Sequence, residues 1–276
     1  MNKIVMTLLL IVGLLTSIVP NAKAAGAFAD NAFNSVWNRT DAAVAAGKSS
    51  RSWLWGPQPN SAGLVEDYQQ SPNSRRLVQY FDKARMEINN PNANRNELWF
   101  VTNGLLPIEL MTGKMQIGDA QYEDRKPANI PAVGDPDNTF PTYADLAKVF
   151  TREGAGDRVG NPVTGFFNPD GKISGYDPYR NDPATFVALV ENKQGVPSAF
   201  VKFMDEQSGS LGRLFVFGAP VSGAYWVKAK VGGVERSVMV QIFERRILTY
   251  TPTNDAAFRV ESGNVGQHYY RWRYGR

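Results

Sequence analysis

One stretch of this chain occurs twice, and that repetition constrains its fold more than any other feature. Residues 74–91 read SRRLVQYFDKARMEINNP, and residues 236–252 read RSVMVQIFERRILTYTP. Each holds an apolar run with Val-Gln-x-Phe, an acidic residue, a basic position and a second apolar run ending near a proline: strand, tight turn, returning strand. The match spreads outward. Trp55-Gly56 precedes Val78 by as many residues as Phe217-Gly218 precedes Val240, and Val101-Thr102-Asn103-Gly104 answers Val260-Glu261-Ser262-Gly263, each ahead of helix-like spacing. Self-similarity of this kind marks an internal duplication. The chain reads as α+β, mostly antiparallel β hairpins with short helices in two related modules. The modules span residues 25–117 and 142–276, joined over 118–141 by a linker carrying Pro127, Pro131, Pro136 and Pro141.

Residues 1–24 read as a signal peptide: Lys3 supplies the positive start, residues 4–19 are almost wholly apolar, and Ala22-Lys23-Ala24 has the small-x-small cleavage pattern. The run is short for a membrane helix and no stop-transfer charges follow, so no membrane span is expected after cleavage. The expected location is extracytoplasmic, secreted or at the cell surface. Losing Lys3 and Lys23 takes two charges from the formal +4, and no basic block carries a recognition motif, so nucleic acid is not expected as a partner. With no cysteine, stability must come from buried apolar surface, and no thiol nucleophile exists. One histidine rules out a multi-histidine metal cluster, and no metal or cofactor is expected.

Within the hairpins, Gln79 and Gln241 each sit between apolar neighbours and need their amides satisfied, either by backbone or by a ligand in a small cleft. The turn residues read as Lys83-Ala84 and Arg245-Arg246. Residues 51–59 alternate like a strand that puts Trp53 and Trp55 on one side. Residues 28–37 and the stretch after Pro197, with Phe200, Phe203 and Met204, have helical spacing, as do Val265, Tyr269 and Trp272 near the end. A strand is expected over 98–102, a helix over 105–111, and a helix cap at Thr142. Asn168-Pro169-Asp170-Gly171 reads as a turn; counted as a calcium loop, it would place Phe166 where the first ligand belongs.

Trp55-Gly56-Pro57, Val78-Gln79-Tyr80-Phe81 and the stretch from Val240 to Arg273 resemble a family of exported bacterial proteins carrying a duplicated V-Q-x-F-E-R hairpin motif. Phe217-Gly218-Ala219-Pro220-Val221 with Phe243-Glu244 is more loosely similar to the LGFP repeat, which implies attachment to the bacterial cell envelope. The chain departs from that repeat in having Arg245-Arg246 for Asn-Gly and Phe217-Gly218 for Leu-Gly. Relatives carry His-Asn ahead of the helix at Pro197, where this chain has Gln194-Gly195, so an activity needing that histidine cannot operate here.

For function, the residues favour a non-catalytic surface protein that binds cell-wall glycan or an envelope polymer. Two similar modules offer avidity, and tryptophans stack on sugar rings. Among Trp37, Trp53, Trp55, Trp99, Trp226 and Trp272, those that prove exposed are ligand candidates. The ligand-binding set is Trp53, Trp55, Gln79, Trp226, Gln241 and Trp272. One alternative is a secreted hydrolase using Asp82 and Glu244, which occupy equivalent places in the two copies. Another is a scaffold in a secreted assembly. No Gly-x-Ser-x-Gly elbow accompanies His268, which reads as a packed histidine.

Overall fold

The computed structural model describes residues 26–151 and 158–275; the signal-peptide reading of residues 1–24 lies outside them. The first copy comprises α1 (Asn31–Thr40), α2 (Ala42–Ala45), β1 (Leu64–Asp67), β2 (Arg75–Tyr80), β3 (Arg85–Ile88), β4 (Thr102–Asn103) and α3 (Leu106–Thr112). Between the copies lie β5 (Lys114–Gln116), β6 (Tyr122–Asp124), α4 (Tyr143–Leu146), β7 (Gly165–Phe167), β8 (Ile173–Gly175), β9 (Val187–Glu191) and β10 (Gln194–Pro197). The second copy follows as α5 (Ser198–Ser208), α6 (Arg213–Val216), β11 (Tyr225–Val231), β12 (Val234–Ile242), β13 (Ile247–Tyr250), β14 (Val260–Ser262) and α7 (Val265–Tyr274). One sheet runs β1-β2-β3-β4 and the other β14-β13-β12-β11-β7-β8, antiparallel throughout except where β7 joins β11. The fold is therefore α+β, with antiparallel hairpins and short helices. Among the described residues no helix is long and apolar enough to cross a membrane.

The two hairpins share one register: Gln79 faces Met86 as Gln241 faces Leu248, and Val78 faces Glu87 as Val240 faces Thr249. Their tips lie one residue earlier than the sequence suggests. Phe81 N–H donates to Ala84 O and Phe243 N–H to Arg246 O, so Asp82-Lys83 and Glu244-Arg245 form the turns. Neither tip needs a left-handed residue, because each is held from outside: Lys83 N–H donates to Trp55 O and Arg245 N–H to Phe217 O. This explains why an aromatic-glycine pair travels with the hairpin. Gly56 and Gly218 take φ of +136° and +71°, and a Cβ on Gly218 would stand 2.5 Å from Glu244 Oε2.

The two hairpins also match in what their glutamines hold. Gln79 Nε2 donates to Ala27 O and Ser61 O, and Gln241 Nε2 donates to Gly195 O and Ser222 O. The segments thus tied down lead straight into α1 and α5. Residues 51–59 form no strand, because Asp41, buried at the end of α1, captures the N–H groups of Leu54, Trp55 and Gly56. Residues 98–102 fold as a 3-10 turn, Leu98–Phe100, followed by the two-residue β4. The Thr142 cap is present as a full capping box with Asp145. Asn168 to Gly171 turns between β7 and β8, with Gly171 at φ +85°.

Both copies feed the same cores. One cluster joins Phe33, Trp55, Phe81 and Met86 to Phe200, Phe217, Trp226 and Phe243. The other joins Val78, Tyr80 and Leu110 to Val227, Val238, Ile247 and Tyr269, and includes Ala128, Ala132 and Val133 from the proline-rich stretch. β2 lies between them, with Val78 and Tyr80 in the second cluster and Leu77 packed against the first. At about 1.5–3 kcal/mol for each large apolar side chain, burial on this scale accounts for a fold without disulfides. The second copy's helix also crosses to the first copy's hairpin: Gly266 and Gln267 N–H both donate to Asp82 O, and a Cβ on Gly266 would lie 2.1 Å from Phe81 O.

Candidate functional site

Four of the six residues read as ligand contacts are buried in the cores. Trp55 and Trp226 are fully enclosed; Trp226 Nε1 donates to Val163 O at 2.8 Å, while Trp55 lies under the Arg246 guanidinium. Gln79 and Gln241 spend their amides on backbone, which is the structural role weighed for them, and present no surface to a ligand. Trp53 and Trp272 are half-buried, and Trp272 Nε1 donates to Lys126 O. Asp82 and Glu244 each serve their own tip: Asp82 accepts from Asn60 and Gln267 side chains, and Glu244 from the Ala219 N–H. Asn168 donates to Phe166 O and Lys172 O and Asp170 pairs with Lys172, interactions that build a turn. Among the described residues no group of three or more His, Cys, Asp or Glu is placed to hold a metal ion.

The largest concentration of buried charge lies on one face of the first hairpin. Under β2 and β3, Arg85 pairs with Glu66 at 3.3 Å, Glu87 at 2.6 Å and Glu109 at 3.5 Å; Arg76 adds Glu87 at 3.1 Å and Arg273 adds Glu66 at 3.3 Å. Tyr80 and Tyr274 donate to Glu66, and Tyr269 donates to Glu109. Burial opposes ionisation of Glu66 and Glu87, but the arginines outweigh it, holding Glu66 below its ordinary range and Glu87 at about 2. For Glu109 burial prevails over Arg85 and Tyr269, and its pKa is raised. Five of these charged side chains are buried and the sixth, Arg273, sits at the edge of the layer, where it ties α7 to Glu66.

A cleft of about 320 Å³ lies between the proline-rich stretch, β14 and the start of α7, lined by Lys83, Glu261, Ser262 and His268 among others. Lys83 Nζ donates to Ser262 O at 2.6 Å, and burial lowers its pKa. His268 Nδ1 is 2.9 Å from Tyr143 OH, and burial, then Lys83 and Arg271, lower its pKa to about 4. It is neutral at pH 7, consistent with a packed histidine. A wider cleft of about 720 Å³ runs between residues 49–52, α5 and the β13–β14 loop.

Of the six tryptophans only Trp99 is exposed, at 45%. Its ring is held at 5.1 Å from that of Phe215, and the Arg245 guanidinium lies 5.9 Å from its centre. The 3-10 turn of the first copy presents the indole and the hairpin tip of the second presents the arginine, so the shelf is built jointly by the two copies. The sequence placed Trp99 in an expected strand among other apolar residues, and no local pattern singled it out.

Comparison with known proteins finds no matching family model, no matching curated protein and no matching solved structure.

Proposed function

We propose that this chain is an exported, non-catalytic protein that associates with the cell envelope by binding glycan. The observation that carries this reading is the exposed indole of Trp99, backed by Phe215 and flanked by Arg245. A flat aromatic face fixed by packing loses little freedom when a sugar ring stacks on it, and aromatic and arginine side chains are the usual energetic centres of binding surfaces. The signal-like residues 1–24 and the resemblance to envelope-attached repeats favour the same place of action. The residues repeated between the copies are occupied in building hairpins, so the unrepeated surface is where recognition is to be sought.

The test is co-sedimentation of purified mature protein with peptidoglycan and with whole envelope fractions at low salt. Retention in the pellet is expected, and Trp99→Ala should weaken it about tenfold, the equivalent of ~1.4 kcal/mol. Recovery of the wild-type protein wholly in the supernatant would overturn the reading.

A further inference from the structure

The charge beside Trp99 points to the kind of sugar. Arg246 is fully buried, yet its guanidinium donates only to neutral oxygens: Asn103 Oδ1 and Leu54 O at 3.3 Å, and Arg245 O at 2.8 Å. Arg245, half-buried next to it, has no carboxylate within ion-pair distance and no side-chain hydrogen bond among the described residues; its partner is the Trp99 ring. The two nearest acids are engaged elsewhere. Glu244 accepts from the Ala219 N–H, and Glu87 is held by Arg76 and Arg85. Other arginines removed from solvent are paired, Arg51 with Asp41 and Arg273 with Glu66. A partly desolvated guanidinium with all its donors unspent is suited to a planar or tetrahedral oxyanion, which it can bind through two parallel N–H bonds.

We infer that the Trp99–Arg245 shelf takes a sugar bearing an anionic substituent, with the ring on the indole and the carboxylate or phosphate on Arg245. This rests on the glycan reading above and adds the substrate class to it. Carboxylate and phosphate share the same chemistry at the arginine, and the choice of probes separates them.

The experiment is equilibrium titration of the full mature protein, followed by tryptophan fluorescence, with three probes: a neutral oligosaccharide, a uronate oligosaccharide of equal length and a phosphate-linked polyol. One anionic probe should bind about tenfold tighter than the neutral one, and Arg245→Gln should bring the two affinities together, weakening the anionic probe about tenfold more than the neutral one. Trp99→Ala should weaken all of them. The Arg245 side chain makes no hydrogen bond or ion pair among the described residues, and its backbone bonds survive the substitution, so Arg245→Gln should unfold at the wild-type urea midpoint, which separates lost recognition from lost structure. Equal affinity for neutral and anionic sugars, or an advantage that survives in Arg245→Gln, overturns the anionic assignment and leaves glycan binding standing. Failure of the wild-type protein to bind any of the probes, and to sediment with envelope fractions, overturns both.

Discussion

The two copies use one hairpin backbone and cover it with opposite chemistry. In the first, Glu66 faces Arg76 and Tyr80 faces Arg85; at the same cross-strand positions of the second, Val227 faces Val238 and Ile242 faces Ile247. Every one of these side chains is buried. The difference follows from what lies on top. The first copy is covered by the last turns of α7, whose Tyr269, Arg273 and Tyr274 bring polar atoms that need partners. The second packs with Leu146, Val149 and Phe167, which need none. What is repeated, the glutamine, the phenylalanine and the aromatic-glycine pair, builds the hairpin. What is not repeated decides how the copies lock together.

The largest expected effect comes from giving the first copy the residue of the second. Arg85→Ile would leave Glu66, Glu87 and Glu109 buried without their shared cation, at a cost of about 3–5 kcal/mol. Ile247→Val, at the matching position, removes one methylene and should cost about 1 kcal/mol. Urea denaturation at pH 7 measures both, and equal losses would show that the ionic layer contributes no more than an aliphatic one. Glu66 and Glu87 have lowered pKa values, so their contribution is complete above about pH 4.5 and disappears as the pH falls through the folded values, about 2 for Glu87.

A second contrast lies on the two helices that end the copies. Counting from Asn103-Gly104 and Ser262-Gly263, Glu109 on α3 corresponds to His268 on α7, and burial pushes both toward neutrality. The consequences for stability are opposite. His268 binds its proton near pH 6.5 when unfolded and only at about 4 when folded, so stability should fall as the pH drops between those values, by up to about 3 kcal/mol. Glu109, with a raised folded pKa, favours the fold more as the pH falls. His268→Asn should flatten the stability profile between pH 6.5 and 4, and Glu109→Gln should leave the slope there at least as steep. An unaltered slope in His268→Asn would assign the effect to other groups.

The sequence made the hairpins, their register and the α+β class readable because strand alternation is a local signal repeated twice. It misplaced the strand over residues 51–59, where the backbone donors go to Asp41, a residue more than ten positions upstream. It also missed that the segments held by Gln79 and Gln241 lead into α1 and α5, since matching helix faces can share burial without sharing residue type. The ionic layer was invisible for another reason. Arg76, Arg85, Glu66 and Glu87 look like the ordinary solvated face of a strand until α7 closes over them, and that closure is a contact between copies. Trp99 carried the same ambiguity in reverse: a tryptophan in an apolar stretch gives no sign of facing outward.

The smallest effect tests the most closely matched pair. Gln79 makes three hydrogen bonds, donating to Ala27 O and Ser61 O and accepting from the Ala29 N–H at 2.9 Å. Gln241 makes the two donations alone, to Gly195 O and Ser222 O. Its Oε1 is buried without a partner because Pro197, two residues after Gly195 as Ala29 is two after Ala27, has no N–H to give. Replacing Gln79 with leucine therefore orphans three backbone groups, whereas Gln241→Leu orphans two and removes an unsatisfied oxygen. Gln79→Leu should be the more destabilising by about 1 kcal/mol, read as the difference in unfolding free energy between the two variants. A Gln241→Leu loss as large as that of Gln79→Leu would mean that the missing bond at Pro197 is made good by something other than protein.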